Sequence, residues 1–241
     1  MLDFLKRVYA FPFVAGTWVW LSLSGMFAYP YFYITGFNPK QLRYFLYFQG
    51  RVLQTAILFA SAFYKKKIKK ALPSQPSILI ANHPCTYDTF LFFDFGIKDL
   101  VCIAKGWPFK IPIYGNFIKK AGYINTDNAT SAQIIEQVKE RFKEGLHVAI
   151  FPEGHRSLTT GRFHLLAFEI SIKTESPLVP FVIKGLGQML APGEIFARWA
   201  KIEYVQLDSV DCKKFKGMPA GNLRMAQYVK NEIIKELERE N

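Results

Sequence analysis

From Val8 to Ile34 the chain carries no charged residue and is dense in Trp, Tyr and Phe. A run this long and apolar can enter or cross a bilayer as a helix. It exceeds the apolar core of a signal peptide and has no small-residue cleavage site after it, so it is expected to be retained. A second apolar stretch, Tyr44 to Tyr64, contains Arg51 and Gln54 and leads into Lys65, Lys66, Lys67, Lys69 and Lys70. Arg51 near its middle argues for an interfacial helix rather than a second span. Lys6 and Arg7 before the first run and the lysines after the second bias both ends toward the cytoplasmic side. That is the arrangement of a re-entrant hairpin, and Lys40 and Arg43 between the runs weigh against two full spans. Residues 1–72 are therefore expected to form a membrane-associated two-helix segment with phospholipid as its partner. Each lysine beside an anionic bilayer would add about 1 kcal/mol.

The remaining charge pattern agrees. The chain has 31 Lys and Arg against 19 Asp and Glu, a formal charge of +12, which favours anionic partners. Nucleic acid is excluded as the expected partner, because the lysines neighbour aliphatic membrane-type residues and no recognition motif of that class occurs. Cys85, Cys102 and Cys212 form no CxxC pair and no disulfide framework, which suits a reducing, cytosol-facing location. No His or Cys cluster has metal-ligand spacing, so no metal is expected.

After Pro73-Ser74-Gln75-Pro76 the chain alternates short β-rich runs with helical patterns. This predicts an α/β fold for residues 73–241, with a mixed, largely parallel central sheet flanked by helices and preceded by the membrane-embedded helical hairpin. Candidate strands are Ser77 to Ala81, Leu100 to Ala104, His147 to Phe151, Leu178 to Lys184 and Ala200 to Leu207. Ile135, Val138 and Phe142 recur at helical spacing, with Gly145 where that helix would stop. Leu223, Ala226, Ile233 and Leu237 mark a terminal amphipathic helix.

Two motifs follow strand-like runs and carry chemistry. In Asn82-His83-Pro84-Cys85-Thr86-Tyr87-Asp88 a histidine is followed five positions later by an aspartate. Pro84 biases His83 toward extended backbone and suits the first position of a helix running through Asp88. On one continuous helix that spacing would separate the two side chains, so a strand-to-helix corner is required to pair them. Once paired, the carboxylate orients the imidazole and stabilises the imidazolium formed when His83 takes a proton from a hydroxyl. A histidine merely satisfied at a helix start is the bland reading, and Cys85 as a thiolate nucleophile with His83 as its base is a rival mechanism. In Phe151-Pro152-Glu153-Gly154-His155-Arg156-Ser157, a tight turn would expose Arg156, whose planar fork suits bidentate phosphate binding.

These motifs, in this order, resemble those of the glycerolipid acyltransferases, and the resemblance extends roughly from Ser77 to Gly185. It implies transfer of an acyl group from acyl carrier protein or coenzyme A thioester to a lysophospholipid. The acceptor implied first is lysophosphatidic acid, giving phosphatidic acid, with no cofactor beyond the thioester co-substrate. By the resemblance His83 acts directly on the acceptor hydroxyl and Asp88 orients it. Arg156 would hold the acceptor's phosphate, with Gly154 permitting the turn. Glu153 would position the acceptor or brace the loop, and Ser157 completes the substrate-binding motif. Ala104-Lys105 and Pro112-x-x-Gly115 resemble the family's middle segment, which implies a phosphate-binding role for Lys105, and Lys119 and Lys120 could add to the same positive pocket. Val179 to Gly185 matches a fourth segment, a buried strand lining the acyl chain's path.

The chain also departs from the family pattern. Asn128 lies near where the family often has an arginine, Leu166 stands where it often has glycine, and His155 where threonine is commoner. These departures leave open another acceptor, such as lyso-ornithine lipid. A non-catalytic lipid-binding membrane protein is the reading from a different class.

Overall fold

The computed structural model describes residues 2–68, 71–194 and 196–239. In chain order the helices are α1 (Leu2–Ile34), α2 (Pro39–Ala60), α3 (Leu91–Asp94), α4 (Tyr114–Ala121), α5 (Ser131–Lys143), α6 (Leu166–Thr174), α7 (Leu186–Met189) and α8 (Gly221–Glu238). The strands are β1 (Phe63–Ile68), β2 (Ile78–Ala81), β3 (Leu100–Ala104), β4 (Ile124–Asn125), β5 (His147–Ile150), β6 (Leu178–Lys184) and β7 (Lys201–Gln206). They form one seven-stranded sheet in the order β1-β7-β6-β2-β5-β3-β4. All neighbours are parallel except β6 and β7.

Period-two alternation sends the strand side chains into two apolar layers. Ile78, Ile80, Val101, Val148 and Val182 pack with Ile135 and Val138 of α5, Phe168 of α6 and Val229 and Ile233 of α8. Leu79, Ala81, Ala149, Val179 and Phe181 face the other way, toward Leu53 and Ile57 of α2 and Phe92 of α3. With helices on both faces the central strands β2, β3, β5 and β6 read as near-continuous apolar runs, which makes them legible in the sequence. A capping box between Thr130 and Gln133 opens α5, and Gly145 follows its end at φ 78°. The terminal helix forms as expected, but Leu223 is exposed, and Met225 and Val229 complete the buried stripe.

The second apolar stretch differs from its reading. Asn38 Oδ1 accepts from the amides of Lys40 and Gln41, and Pro39 occupies the first turn, so α2 starts ahead of Tyr44 and ends at Ala60. Lys40 and Arg43 therefore belong to the second helix rather than to a linker. Phe63–Ile68, expected as helix end and headgroup-binding lysines, is an edge strand parallel to β7. Lysine suits an exposed sheet edge. Lys66 pairs with Asp94 and Lys67 with Glu203, so part of the basic cluster is committed within the domain, while Lys69 and Lys70 lie outside the described residues. The chain thus enters the sheet ahead of the expected division at residues 72 and 73.

Helices α1 and α2 run antiparallel, with ring contacts from Phe13–Phe59 at one end to Phe32–Phe45 at the other. Residues Phe4–Ile34 are long and apolar enough to cross a membrane, and Trp18, Phe27 and Tyr33 face outward from α1. The 33 residues of α1 extend about 50 Å, against about 30 Å of bilayer hydrocarbon. α1 is docked along the domain, through Tyr9 on Trp199, Thr17 on Tyr87 and Tyr29 on Phe117. Arg51 reaches across to α3 with its side chain still partly exposed, donating to the carbonyl (3.0 Å) and carboxylate (3.2 Å) of Asp94, so the charge in the middle of an apolar helix has a partner in the domain.

Candidate active site

Because β2, β3 and β5 are parallel neighbours, their carboxyl ends share one edge of the sheet, the usual place for a site in such folds. His83 follows β2, Lys105 follows β3, and Glu153 to Ser157 follow β5.

Asn82 controls how the chain leaves β2. Its buried amide donates to Ile183 O (3.0 Å) and accepts from Ile183 N (2.8 Å), imitating one more ladder pair with β6. The backbone then turns, and Tyr87–Phe90 forms a 3-10 turn that presents Asp88. His83 Nδ1 lies 3.0 Å from Asp88 Oδ2, so the corner brings the pair together as the spacing required. Pro84 does not start the helix. The His83 carbonyl accepts from Ser157 N (2.9 Å) instead of from a following helical amide, and the Cys85 amide donates to Asp88 Oδ2 (2.8 Å).

The His83 ring stacks on Phe151, with centroids 4.3 Å apart at 20°. Nδ1 is buried, 3.0 Å from Asp88 Oδ2, while the His83 side chain as a whole keeps partial exposure. An ionised Asp88 selects the tautomer protonated on Nδ1 and leaves the Nε2 lone pair available as a base. Asp88 is fully buried, and its Oδ1 has no hydrogen-bond partner among the described residues. Burial pushes its carboxyl above the usual range, opposed by His83 and by the Cys85 amide. Cys85 is also fully buried, and burial, with Asp88 adding to it, pushes its thiol up to about 12. A neutral thiol of that kind is a poor nucleophile.

The second motif holds the first. The Glu153 side chain is buried, and its two oxygens accept from His83 N (3.3 Å) and Gly161 N (3.2 Å). Of the two expected roles, bracing the loop is the one this geometry serves. Burial raises the Glu153 carboxyl and these amides pull it back. The His83 peptide is therefore gripped at its N–H by Glu153 and at its carbonyl by Ser157, through the Ser157 backbone rather than its hydroxyl, which faces Thr159. Gly154 turns at φ 68°, and a Cβ there would stand 3.0 Å from His164.

Arg156 is exposed, donates to Thr86 Oγ1, and stands 5.9 Å from the ring centre of Trp107. Among the described residues it has no carboxylate partner. Lys105 is exposed at the end of β3. Lys120 is turned away, over the Phe37 ring of the hairpin turn at 6.0 Å. The segment Val179 to Gly185 forms buried β6. Two open grooves elsewhere, one along α5 and one beside the hairpin tip, contain none of the candidate residues.

Asn82, Phe151, Thr86 and Trp107 were passed over as site residues. The first three lie inside the two motifs and Trp107 lies two positions after Lys105, so proximity to the motifs was the available signal.

Known proteins resemble this arrangement. A chloroplastic 1-acyl-sn-glycerol-3-phosphate acyltransferase from Brassica napus is 31% identical over 140 residues, covering 54% of this chain and 40% of that protein. The 1-acyl-sn-glycerol-3-phosphate acyltransferase of Pseudomonas aeruginosa is 25% identical over 197 residues, 78% of this chain and 71% of that one. The chain spans about two fifths of the length of the plant relatives it matches. The crystal structure of the 1-acyl-sn-glycerophosphate acyltransferase PlsC from Thermotoga maritima shares the fold, with a TM-score of 0.64 and 21% identity over 92% of this chain and 97% of that one. The family model described as Acyltransferase matches residues 63–184, from the edge strand through both motifs to the end of β6, and this chain belongs to that acyltransferase family.

Proposed function

We propose that this protein transfers a fatty acyl group from a thioester donor to the sn-2 hydroxyl of lysophosphatidic acid, forming phosphatidic acid. The observation that carries the reading is His83 set 3.0 Å from the buried Asp88 on the sheet edge that also bears Arg156, an arginine without a carboxylate partner among the described residues. The names of the relatives support the same acceptor.

In this reading His83 Nε2 removes the acceptor's hydroxyl proton as the oxygen attacks the thioester carbonyl. Asp88 stabilises the resulting imidazolium. The C–O bond forms, the C–S bond breaks, and the imidazolium returns its proton to the departing thiolate. Arg156 and Lys105 hold the acceptor's phosphate, Glu153, Gly154 and Ser157 keep the His83 loop in place, and β6 borders the acyl path. The donor is acyl carrier protein or coenzyme A thioester. Both are anionic and suit a chain of charge +12. No cofactor enters the reaction.

The helical pair lies along the domain with its aromatic face outward, which favours a monotopic seat in one leaflet and a reaction edge at the cytoplasmic surface. A second acceptor is favoured by one observation. Asn128, near where the family often has arginine, cannot add a positive charge, which leaves room for another lysolipid such as lyso-ornithine lipid.

Purified protein in detergent, given lysophosphatidic acid and either thioester, is expected to yield phosphatidic acid by mass spectrometry, and His83→Ala is expected to lose ~10²–10⁴-fold in rate while staying folded. An active His83→Ala would sink the mechanism. Product from another lysolipid alone would replace the acceptor.

A further inference from the structure

Arg156 is held by two neutral groups drawn from two other parts of the chain. Thr86, from the first motif, accepts a hydrogen bond from Nη1, and Trp107, from the loop after β3, faces the guanidinium within cation–π reach. A carboxylate in either place would orient the arginine but cancel its charge. A hydroxyl and an indole orient it and leave the charge for a ligand. One of five N–H donors is spent on Thr86, and the remainder of the fork is available to an anion.

The loop that carries Trp107 runs beside the segment after β4, where a Cβ on Gly106 would lie 2.0 Å from a carboxylate oxygen of the exposed Asp127. Trp107 immediately precedes the 3-10 turn Pro108–Lys110, and its side chain makes no capping bond there. With the indole more than half exposed, its value to core packing is small, so its place beside Arg156 calls for another reason.

We infer that Thr86 and Trp107 are positioning residues that pre-organise Arg156 for a phosphomonoester acceptor. An exposed arginine otherwise loses rotamer freedom when it grips an anion, and ordering it beforehand lowers that cost. The undiminished charge favours a dianionic phosphomonoester over a lysolipid whose phosphate is diesterified. This deepens the proposed function and rests on it.

The test is steady-state turnover in mixed micelles with lysophosphatidic acid and with lysophosphatidylcholine, for wild type, Trp107→Ala, Trp107→Phe, Thr86→Val, Arg156→Ala and Trp107→Ala/Arg156→Ala. Trp107→Ala and Thr86→Val are expected to raise KM for lysophosphatidic acid about three- to ten-fold with kcat within about two-fold. Trp107→Phe should recover most of that loss, and the preference for lysophosphatidic acid over lysophosphatidylcholine should shrink by a similar factor in Trp107→Ala. In the Arg156→Ala background the tryptophan change should add less than about two-fold. The inference is overturned if Trp107→Ala costs as much without Arg156 as with it, if it lowers kcat at constant KM, or if it changes nothing. Wild type that makes no phosphatidic acid would instead remove the proposed function, and this inference with it.

Discussion

Tyr87, the residue before Asp88, donates its buried hydroxyl to Thr17 of α1 across 2.8 Å. The direction follows from satisfaction, because the single Thr17 hydroxyl hydrogen is given to Val14 O at 2.6 Å. The long apolar helix is thus tied to the turn that carries the carboxylate beside His83.

Removing one end of this tie should cost more than removing both. Thr17→Val leaves the Tyr87 hydroxyl buried without an acceptor, expected to destabilise by about 1–3 kcal/mol. Thr17→Val/Tyr87→Phe makes both sides apolar and should be more stable than Thr17→Val alone. Denaturant unfolding in mild detergent measures the difference, and a double variant less stable than the single one would refute the pairing.

Asp88→Asn should separate stability from activity. Because burial raises the folded carboxyl above its ordinary value of about 3.9, the folded protein binds that proton more tightly than the unfolded chain. The group's stabilising contribution is complete below the ordinary value and is lost as pH rises through the raised one. Relative to wild type, Asp88→Asn is therefore expected to gain stability as pH rises out of the acid range and to lose that gain on acidification. Acyl transfer should fall ~10²–10⁴-fold, since the asparagine cannot stabilise the imidazolium. Melting temperatures from pH 4 to 8, read beside turnover, decide it. A gap that widens toward low pH would contradict the burial argument.

Cys85→Ala addresses the thiolate mechanism. The buried thiol, pushed up to about 12, is expected to resist iodoacetamide in the folded protein, and the variant should keep turnover within a few-fold of wild type. Loss of all transfer with the fold intact would restore Cys85 as the nucleophile.

Gly50→Ala tests the seating of the hairpin. In an exposed helix this change stabilises by about 1 kcal/mol. Here a Cβ would lie 2.0 Å from Phe93 Cδ2, so steric overlap should win and destabilise by about 1–3 kcal/mol. Phe93→Leu in the same chain should return part of the loss. A Gly50→Ala protein that melts higher than wild type would show that α2 does not seat on Phe93.

Five strands could be read from the sequence within a residue of their observed ends, four because they are buried on both faces and stand out as apolar runs, and β7, KIEYVQ, from its β-rich centre despite Lys201, Glu203 and Gln206. Strand β1 escaped because its lysines serve an exposed edge, a pattern that also describes a solvated or membrane-facing tail. The two-residue β4 is too short to carry a period. At the site, His83, Asp88 and Arg156 were legible because they lie in short local motifs, and the need for a corner between His83 and Asp88 followed from helix geometry alone.

By itself the sequence determined which groups are present: an apolar N-terminal run, an α/β alternation, and a histidine, a carboxylate and an arginine at characteristic spacing. These follow from local chemistry and periodicity. Only the tertiary structure decided that Glu153 and Ser157 grip the His83 peptide, that Thr86 and Trp107 hold Arg156, and that Thr17 reaches Tyr87. Each of these contacts joins residues from about 50 to more than 70 positions apart, and no local propensity encodes them. Those around His83 and Arg156 arise from the packing of parallel strands, which brings distant loops to one edge of one sheet, and the Thr17–Tyr87 contact arises from the docking of α1 along the domain.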